Sequence, residues 1–384
     1  MADKEEHHSW RTERTMPPVH YHIGRFPPED LDWPKLIPLI GPTMAAVARY
    51  DGTLAAIPNP RILLAPLITR EAVLSSRIEG TQATMGEVLE FEAGQEPTSP
   101  ARRDDFLEVL KYRAAMRQAE TMLREIPLSQ RVIREAHSVL LSHARGEGMA
   151  PGEYRRIPNW IGPPGCTIDQ AKFVPIDAGR LPDAMSEWER YIHADAPDQL
   201  VQLAILHAEF EALHPFLDGN GRLGRLLVPL FLWQRGHIRE PTFYVSAYLE
   251  ANRDEYYEGL LAVSRDNDWT GWCRFFLQAV QAQAEDNLTK AQEILDLYER
   301  LKQRVADLTR SRYAIHALDW IFARPLFGSA DFVSEMVCGT RTARRMLDVL
   351  CENGVLHVVV PGAGRRTAII SFPDLREIVE DGTL

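Results

Sequence analysis

The chain has 384 residues, more than one domain usually needs, so two or three folded units are expected. Apolar residues make up 45%, enough for real cores, and a formal charge of -11 argues against a whole-chain nucleic-acid or membrane-surface binder. Cys166, Cys273, Cys338 and Cys351 have no zinc or Cys-x-x-Cys spacing, no run of about twenty residues is uniformly apolar, and the acidic start, Met1 to Glu6, lacks an apolar signal core. The expectation is a reduced, cytoplasmic protein without a membrane span.

Residues 1–32 are polar and proline-dotted and read as an extended lead-in. His7, His8, His20 and His22 lack the carboxylate or cysteine company of a metal site. Trp33 to Arg49 reads as a first helix. Pro38 and Pro42 are expected to break or kink its start, and Asp51-Gly52 to close it. Asn59-Pro60 opens the next helix, which runs to Ile78 and ends in Ser75-Ser76-Arg77-Ile78-Glu79-Gly80. Gly80 stands where a left-handed cap wants glycine. Glu79 is out of place, because a carboxylate in the last turn faces the negative end of the helix dipole. It shares one helix face with Ser75, four residues earlier.

Thr84-Met85-Gly86-Glu87 is a capping-box pattern opening a short helix. Residues 93–101 form a loop, Asp104 to Glu125 a long amphipathic helix, and Pro127-Leu128-Ser129 starts another that ends near Leu141. His137 and His143 read as packing or surface residues. Residues 146–175 are rich in glycine and proline, with β-like pieces at Tyr154–Ile157, Trp160-Ile161 and Phe173-Val174 around Gly162-Pro163-Pro164-Gly165. This is read as a β-hairpin flap, and a glycine-rich loop of that length inside helices is more often functional. Residues 176–193 are helical.

Leu200 to Leu213 is an apolar helix ended by Pro215. Then come His214-Pro215-Phe216-Leu217-Asp218-Gly219-Asn220-Gly221-Arg222-Leu223-Gly224-Arg225 and a second apolar helix, Leu223 to Trp233, expected to kink at Pro229. A glycine-rich loop before a helix N-terminus presents unpaired N–H groups to an anion. Arg222 and Arg225 add planar forks suited to phosphate. Asp218 is a hard oxygen ligand of the kind Mg2+ takes, and His214 can accept a proton near neutral pH. Ser246 to Leu261 reads as one helix with Tyr256 and Tyr257 near its middle, and Trp272 begins a long charged helix reaching Asp307.

From Arg310 the pattern becomes helix, helix, helix, hairpin, with Arg341, Arg344 and Arg345 on the third helix and Arg365 and Arg366 at the tip of the hairpin. Residues 310–372 hold eight arginines against five acids, only mildly basic. This unit resembles a winged helix. Partner docking or dimer support is the favoured role, with DNA contact as the alternative.

The 214–225 stretch resembles the Fic family motif, His-Pro-Phe-x-Asp/Glu-Gly-Asn-Gly/Lys-Arg-x-x-Arg, at every specified position. The resemblance implies a mostly helical fold and transfer of AMP from ATP to a hydroxyl of a protein substrate. It assigns His214 as the base, Phe216 as a core anchor and Asp218 as the Mg2+ ligand. Gly219, Asn220, Gly221, Arg222, Leu223, Gly224 and Arg225 become the nucleotide-binding stretch. The Arg253-to-Tyr257 run matches the region lining the nucleotide, with Tyr256 as first choice. Ser75 to Gly80 resembles the family's inhibitory motif, in which Glu79 pairs with Arg225 and blocks the γ-phosphate seat. The flap would align the target by strand pairing.

The expected architecture is all-α with a β-hairpin flap, plus a small C-terminal winged-helix-like α+β unit. Its divisions fall at 1–32, 33–100 with the inhibitory motif, 101–290 as catalytic core, 291–309 as connecting helix, and 310–384. The expected activity is protein adenylyl transfer restrained by Glu79, with ATP, Mg2+, a protein hydroxyl and a second copy of the chain as partners. Removal of AMP, transfer of another phosphate-bearing group, and a nucleotide-sensing DNA-binding regulator are the alternatives.

Overall fold

The computed structural model describes residues 17–57, 59–142, 148–364 and 366–380. His7, His8, His143 and Arg365 lie outside the described residues. The fold is mostly helical, with only short strands.

The described part of the lead-in, residues 17–32, is more integrated than its composition implies. Strand β1 (Val19–His20) brings His22 into the core, where Nε2 lies 2.9 Å from Glu209 Oε2 and Nδ1 2.8 Å from Ser264 Oγ. Tyr21 donates to Glu209 Oε1 at 2.6 Å. A buried carboxylate without partners costs heavily, and these bonds offset that cost.

Helix α1 (Trp33–Ala56) runs unbroken through Pro38 and Pro42 and past Asp51-Gly52, contrary to the expected break and stop. The reason is placement. Pro34, Pro38 and Pro42 recur every four residues, all exposed, so each missing donor lies on the solvent side where water satisfies the freed carbonyl. Helices α2 (Pro60–Leu63) and α3 (Ala65–Ile78) follow, parted at Leu64. On α3, Glu71 is buried and bonded to Ser246 N–H, the Ser246 hydroxyl and the Tyr112 hydroxyl at 3.0, 2.6 and 3.2 Å. These bonds fix the rotation of α3. Its other faces meet α4 (Met85–Glu92) and α5 (Pro100–Leu123). The expected capping box at Thr84 and Glu87 opens α4.

After α6 (Gln130–Leu140) come β2 (Phe173–Val174), α7 (Leu181–His193), α8 (Gln199–Leu213) and α9 (Asn220–Gln234). Helix α8 is the centre of the molecule: every residue from Leu200 to Leu213 is buried. Its mostly apolar faces place it in the core, with Gln202, His207, Glu209 and Glu211 buried among them. Asp198 caps it, accepting from the N–H groups of Leu200 and Val201 at 2.9 Å each. Helix α9 continues through Pro229.

The flap is narrower than expected. Ile161 pairs antiparallel with Phe173 in a single bridge, while β2 pairs in parallel with β1. Tyr154–Ile157 is not a strand. The segment expected as one helix from Ser246 to Leu261 is two, α10 (Ser246–Ala251) and α11 (Arg253–Asp266), broken at Asn252.

Helix α12 (Trp269–Thr309) spans 41 residues, lying along α1 and α8 before reaching the C-terminal elements. Those are α13 (Ala314–Ala323), β3 (Leu326–Gly328), α14 (Ser329–Glu335), α15 (Thr340–Glu352), β4 (His357–Val360), β5 (Ile369–Ser371) and α16 (Pro373–Glu380). The strands form an antiparallel sheet in the order β3-β5-β4, one strand more than the expected hairpin. These elements fold back onto the N-terminal helices: α13 meets α2 and α3, β3 meets α4, and α16 meets α3.

Glu209→Ala is expected to leave buried His22 and Tyr21 without their partner and to lower stability by about 1–3 kcal/mol. Faster trypsin cleavage at Arg25 should accompany the shift in urea midpoint, and an unchanged cleavage rate contradicts the account of the N-terminal segment.

Candidate active site

The loop between α8 and α9 is shaped by its own side chains. His214 ends α8 in the left-handed region, φ 46° and ψ 60°, and its N–H bonds the Phe210 carbonyl at 3.1 Å. Phe216 is buried and stacks on His137 at 3.8 Å between ring centroids. Asn220 braces the loop on both sides, with Oδ1 accepting from Phe216 N–H and Nδ2 donating to Phe216 O, each at 2.9 Å. Gly219, at φ 81°, precedes α9 in a conformation that favours glycine.

His137 and Arg155 support the loop from outside it. The Gly152 N–H donates to His137 Nδ1 at 2.8 Å, so the ring proton is on Nε2, which bonds the Asp218 carbonyl at 3.0 Å. Arg155 is 3% exposed, and its guanidinium donates to the carbonyls of His214 (2.9 Å), Leu213 (3.3 Å) and Ile176. Its own N–H bonds the Pro215 carbonyl at 2.9 Å, and Asn159 Nδ2 bonds the Phe216 carbonyl at 3.1 Å. The 154–159 segment is therefore a strap under the loop rather than part of a hairpin.

The charged groups converge above it. The Asp218 carboxylate accepts from Gly219 N–H at 2.6 Å and Arg222 Nη2 at 3.1 Å, and its side chain is 49% exposed. Arg222 Nη1 lies 3.6 Å from Glu108, and buried Nε and Nη1 have no hydrogen-bond partner. Arg225 is 1% exposed. Its Nε donates to Ser75 Oγ at 2.8 Å, and Nη2 donates to Ser75 O and Glu79 Oε1 at 2.7 Å each. Burial opposes the Arg225 charge, but Glu79, Tyr256 and Glu211 outweigh it and raise the pKa.

Two glycines of the motif are needed for close approach. A Cβ at Gly221 would come within 2.2 Å of Glu79 Oε1, and one at Gly224 within 2.2 Å of Glu211 Oε1. The Glu79 carboxylate thus rests on the first turn of α9, the place where an anion would sit. Glu211 was not singled out in the sequence. It is buried, Oε1 has no hydrogen-bond partner, and burial pushes its pKa up to about 8 against the pull of Arg225. Its signal was a carboxylate in a mostly apolar helix, three residues before His214.

Beside Glu211, a cavity of about 420 Å³ opens between the flap, α8 and α11, lined by residues including Ile161, Phe173, Arg253, Tyr257 and Leu261. Its size suits a small ligand. Tyr256 does not face it. The Tyr256 ring is 1% exposed, its hydroxyl lies 2.9 Å from His207 Nε2, and Trp272 and Phe275 surround it. The break at Asn252 sets the phase of α11 so that Tyr257, not Tyr256, lines the cavity, with the Arg253 guanidinium 5.6 Å from its ring centroid. No group of three or more His, Cys, Asp or Glu side chains is placed to hold a metal ion among the described residues.

Residues 37–121 match the Fic/DOC family N-terminal region, and residues 127–232 match the Fic/DOC family. Protein adenylyltransferase Fic of Drosophila yakuba and that of Drosophila melanogaster are each 24% identical to this chain over 208 residues, 53% of this chain and 38% and 39% of theirs. The chain thus spans well under half the length of these curated relatives. Among solved structures, a Fic family protein from Desulfovibrio desulfuricans G20 is similar at a TM-score of 0.58 and 21% identity, covering 88% of this chain and 96% of that one. A Fic domain-containing signaling protein from Bacteroides thetaiotaomicron VPI-5482 is similar at 0.51 and 19%, covering 66% and 96%. At these identities the likeness shows a shared fold.

Burial holds the imidazoles of His137 and His214 down to about 4 and that of His207 to about 3. None of the three should titrate between about pH 6 and pH 8 by NMR, and a His214 midpoint near 6.5 contradicts this. In the unfolded chain each binds a proton near pH 6.5, so the unfolded state binds more protons below that. Stability present above about pH 6.5 is lost as the pH falls toward about 4.

Proposed function

Starting from a chain that carries Fic N-terminal and Fic domains with Fic structural neighbours, we propose that it is a protein adenylyltransferase restrained by its own Glu79. A nucleoside would lie in the cavity along Tyr257 and Arg253, with its phosphates on the amides of Gly219 to Gly221. The orphaned Nε and Nη1 of Arg222 are donors waiting for an anion. His214 is neutral near pH 7, and its buried Nδ1 has no partner, so the ring is free to accept a proton. The acceptor hydroxyl attacks the α-phosphorus of ATP, its proton passes to His214, and pyrophosphate leaves with its electron pair. The protein's share is positioning and charge stabilisation rather than covalent chemistry.

Asp218 fits a Mg2+ site of the kind that takes one or two carboxylates and completes its shell from phosphates and water. Its carboxylate is half exposed beside the loop amides. When bound, the ion would neutralise phosphate charge.

The observation that carries the restraint is the contact of Glu79 Oε1 with Arg225 Nη2 over Gly221. A carboxylate in that seat excludes the outermost phosphate and leaves Arg225 engaged. The flap residues Trp160, Ile161 and Ile168, with Ile157 of the strap beside them, are exposed apolar groups, suited to a peptide segment of the target.

For the C-terminal elements we infer a winged-helix-like unit over 310–384, joined through 291–309 to the 33–100 and 101–290 regions. The three-stranded sheet supports this, with β3 against α14, α14 against α15, and Trp320 of α13 edge-on to Phe327 of β3. Arg345 donates to the Thr309 carbonyl at 2.6 Å, and Arg341, Arg344 and Arg366 are exposed. Contact of these elements with α2, α3 and α4 favours docking within the chain over DNA binding.

With α-labelled ATP and Mg2+, Glu79→Gly should raise transfer to the chain or to an added lysate by roughly 10- to 100-fold. Adding His214→Ala should lower it again by about 100-fold or more, while ATP binding is kept. Equal labelling of wild type and Glu79→Gly contradicts the restraint. Absence of label from every variant contradicts adenylyl transfer.

A further inference from the structure

The face of α3 that carries Ser75 and Glu79 meets Arg225. A second stripe of the same helix, Arg70, Val73, Leu74 and Arg77 at helical spacing, faces elsewhere. There α3, the first turn of α4 and α16 enclose a second cavity of about 400 Å³. Small-molecule sites run to roughly 300–1,000 Å³.

The lining is rich in donors. Arg70, Arg77 and Arg376 contribute guanidiniums, against the carboxylates of Glu377 and Glu380. Arg70 is only 8% exposed. Its Nη1 meets Asp286 at a long 3.4 Å, and its buried Nε has no hydrogen-bond partner. Arg376 Nη2 is held by Glu380 at 2.9 Å and would lie 3.2 Å from a Cβ at Gly86, so it rests on the α4 backbone. The capping box of α4 satisfies Thr84 N–H and Glu87 N–H. The amides of Met85 and Gly86, in the wall of the cavity, precede any helical acceptor. Val73, Leu74 and Val379 supply an apolar wall.

We propose that this cavity is a binding site for a small phosphate-bearing anion with an apolar portion. The Arg70 and Arg77 guanidiniums from α3, an unsatisfied buried Nε on Arg70, the Glu380-paired charge of Arg376 from α16 and a helix start together match tetrahedral phosphate oxygens better than one planar carboxylate.

Calorimetric titration of the full chain with phenyl phosphate, and with inorganic phosphate as the probe lacking the apolar part, tests the site. Phenyl phosphate is expected to bind more tightly than phosphate. Arg77→Gln/Arg376→Gln should weaken it by about tenfold or more, and Glu377→Gln should tighten it, a gain that misfolding cannot mimic. Arg222→Gln reports on the catalytic loop and should leave the titration within about twofold. Absence of heat at millimolar phenyl phosphate overturns the proposal. So does a loss confined to Arg222→Gln with the double variant unaffected. Transfer by Glu79→Gly is assayed separately, so its failure would strike the catalytic reading and leave the titration standing.

Discussion

The structure turns on one buried charge. Arg225 is 1% exposed, and a guanidinium so placed must be paired. Ser75 and Glu79 at the end of α3 pair it directly, and the Glu211 carboxyl approaches the same turn of α9 from α8. The two glycines that let those carboxylates approach, Gly221 and Gly224, belong to the same turn of α9. The residue that would hold an outer phosphate is thus the residue that ties α3 to the core when Glu79 occupies the seat. On the proposed reading, restraint and packing are one interaction, and a nucleotide phosphate must compete with a contact the fold already makes.

The loop under that seat is held by atoms that have no role in an anion's coordination. Asn220 uses both ends of its amide on Phe216, His137 uses both ring nitrogens on Gly152 and Asp218, and Arg155 uses its fork on the carbonyls of the loop. This leaves Nε and Nη1 of Arg222 without hydrogen-bond partners, and the Glu79 carboxylate over the first turn of α9. Donors fixed before a charge arrives need no reorganisation when it does, which is how such sites stabilise developing charge.

The core of the site was legible because its residues are consecutive, so the His214–Arg225 stretch carries its geometry with it. Glu79 was legible as an anomaly, a carboxylate at the wrong end of a helix dipole. Arg155 was not, because its partners are carbonyls, which leave no trace in residue identity. The His22–Glu209 pair was hidden by 187 positions of separation. Which of Tyr256 and Tyr257 lines the cavity was not legible for a different reason: neighbouring residues differ by about 100° around a helix, and the break at Asn252 sets that phase. Pro38 and Pro42 were rightly read as poor helix residues, but their harm depends on which side of α1 meets water.

Nucleotide discrimination tests the central claim most directly. On the proposed reading, Glu79 on Arg225 fills the seat of a third phosphate, and the wild-type chain should bind ATP and ADP with affinities within about twofold of each other. Freeing Arg225 by Glu79→Gly should tighten ATP over ADP by about tenfold, the order expected for one charge-assisted phosphate contact. The same ATP-to-ADP ratio in both proteins would contradict the account.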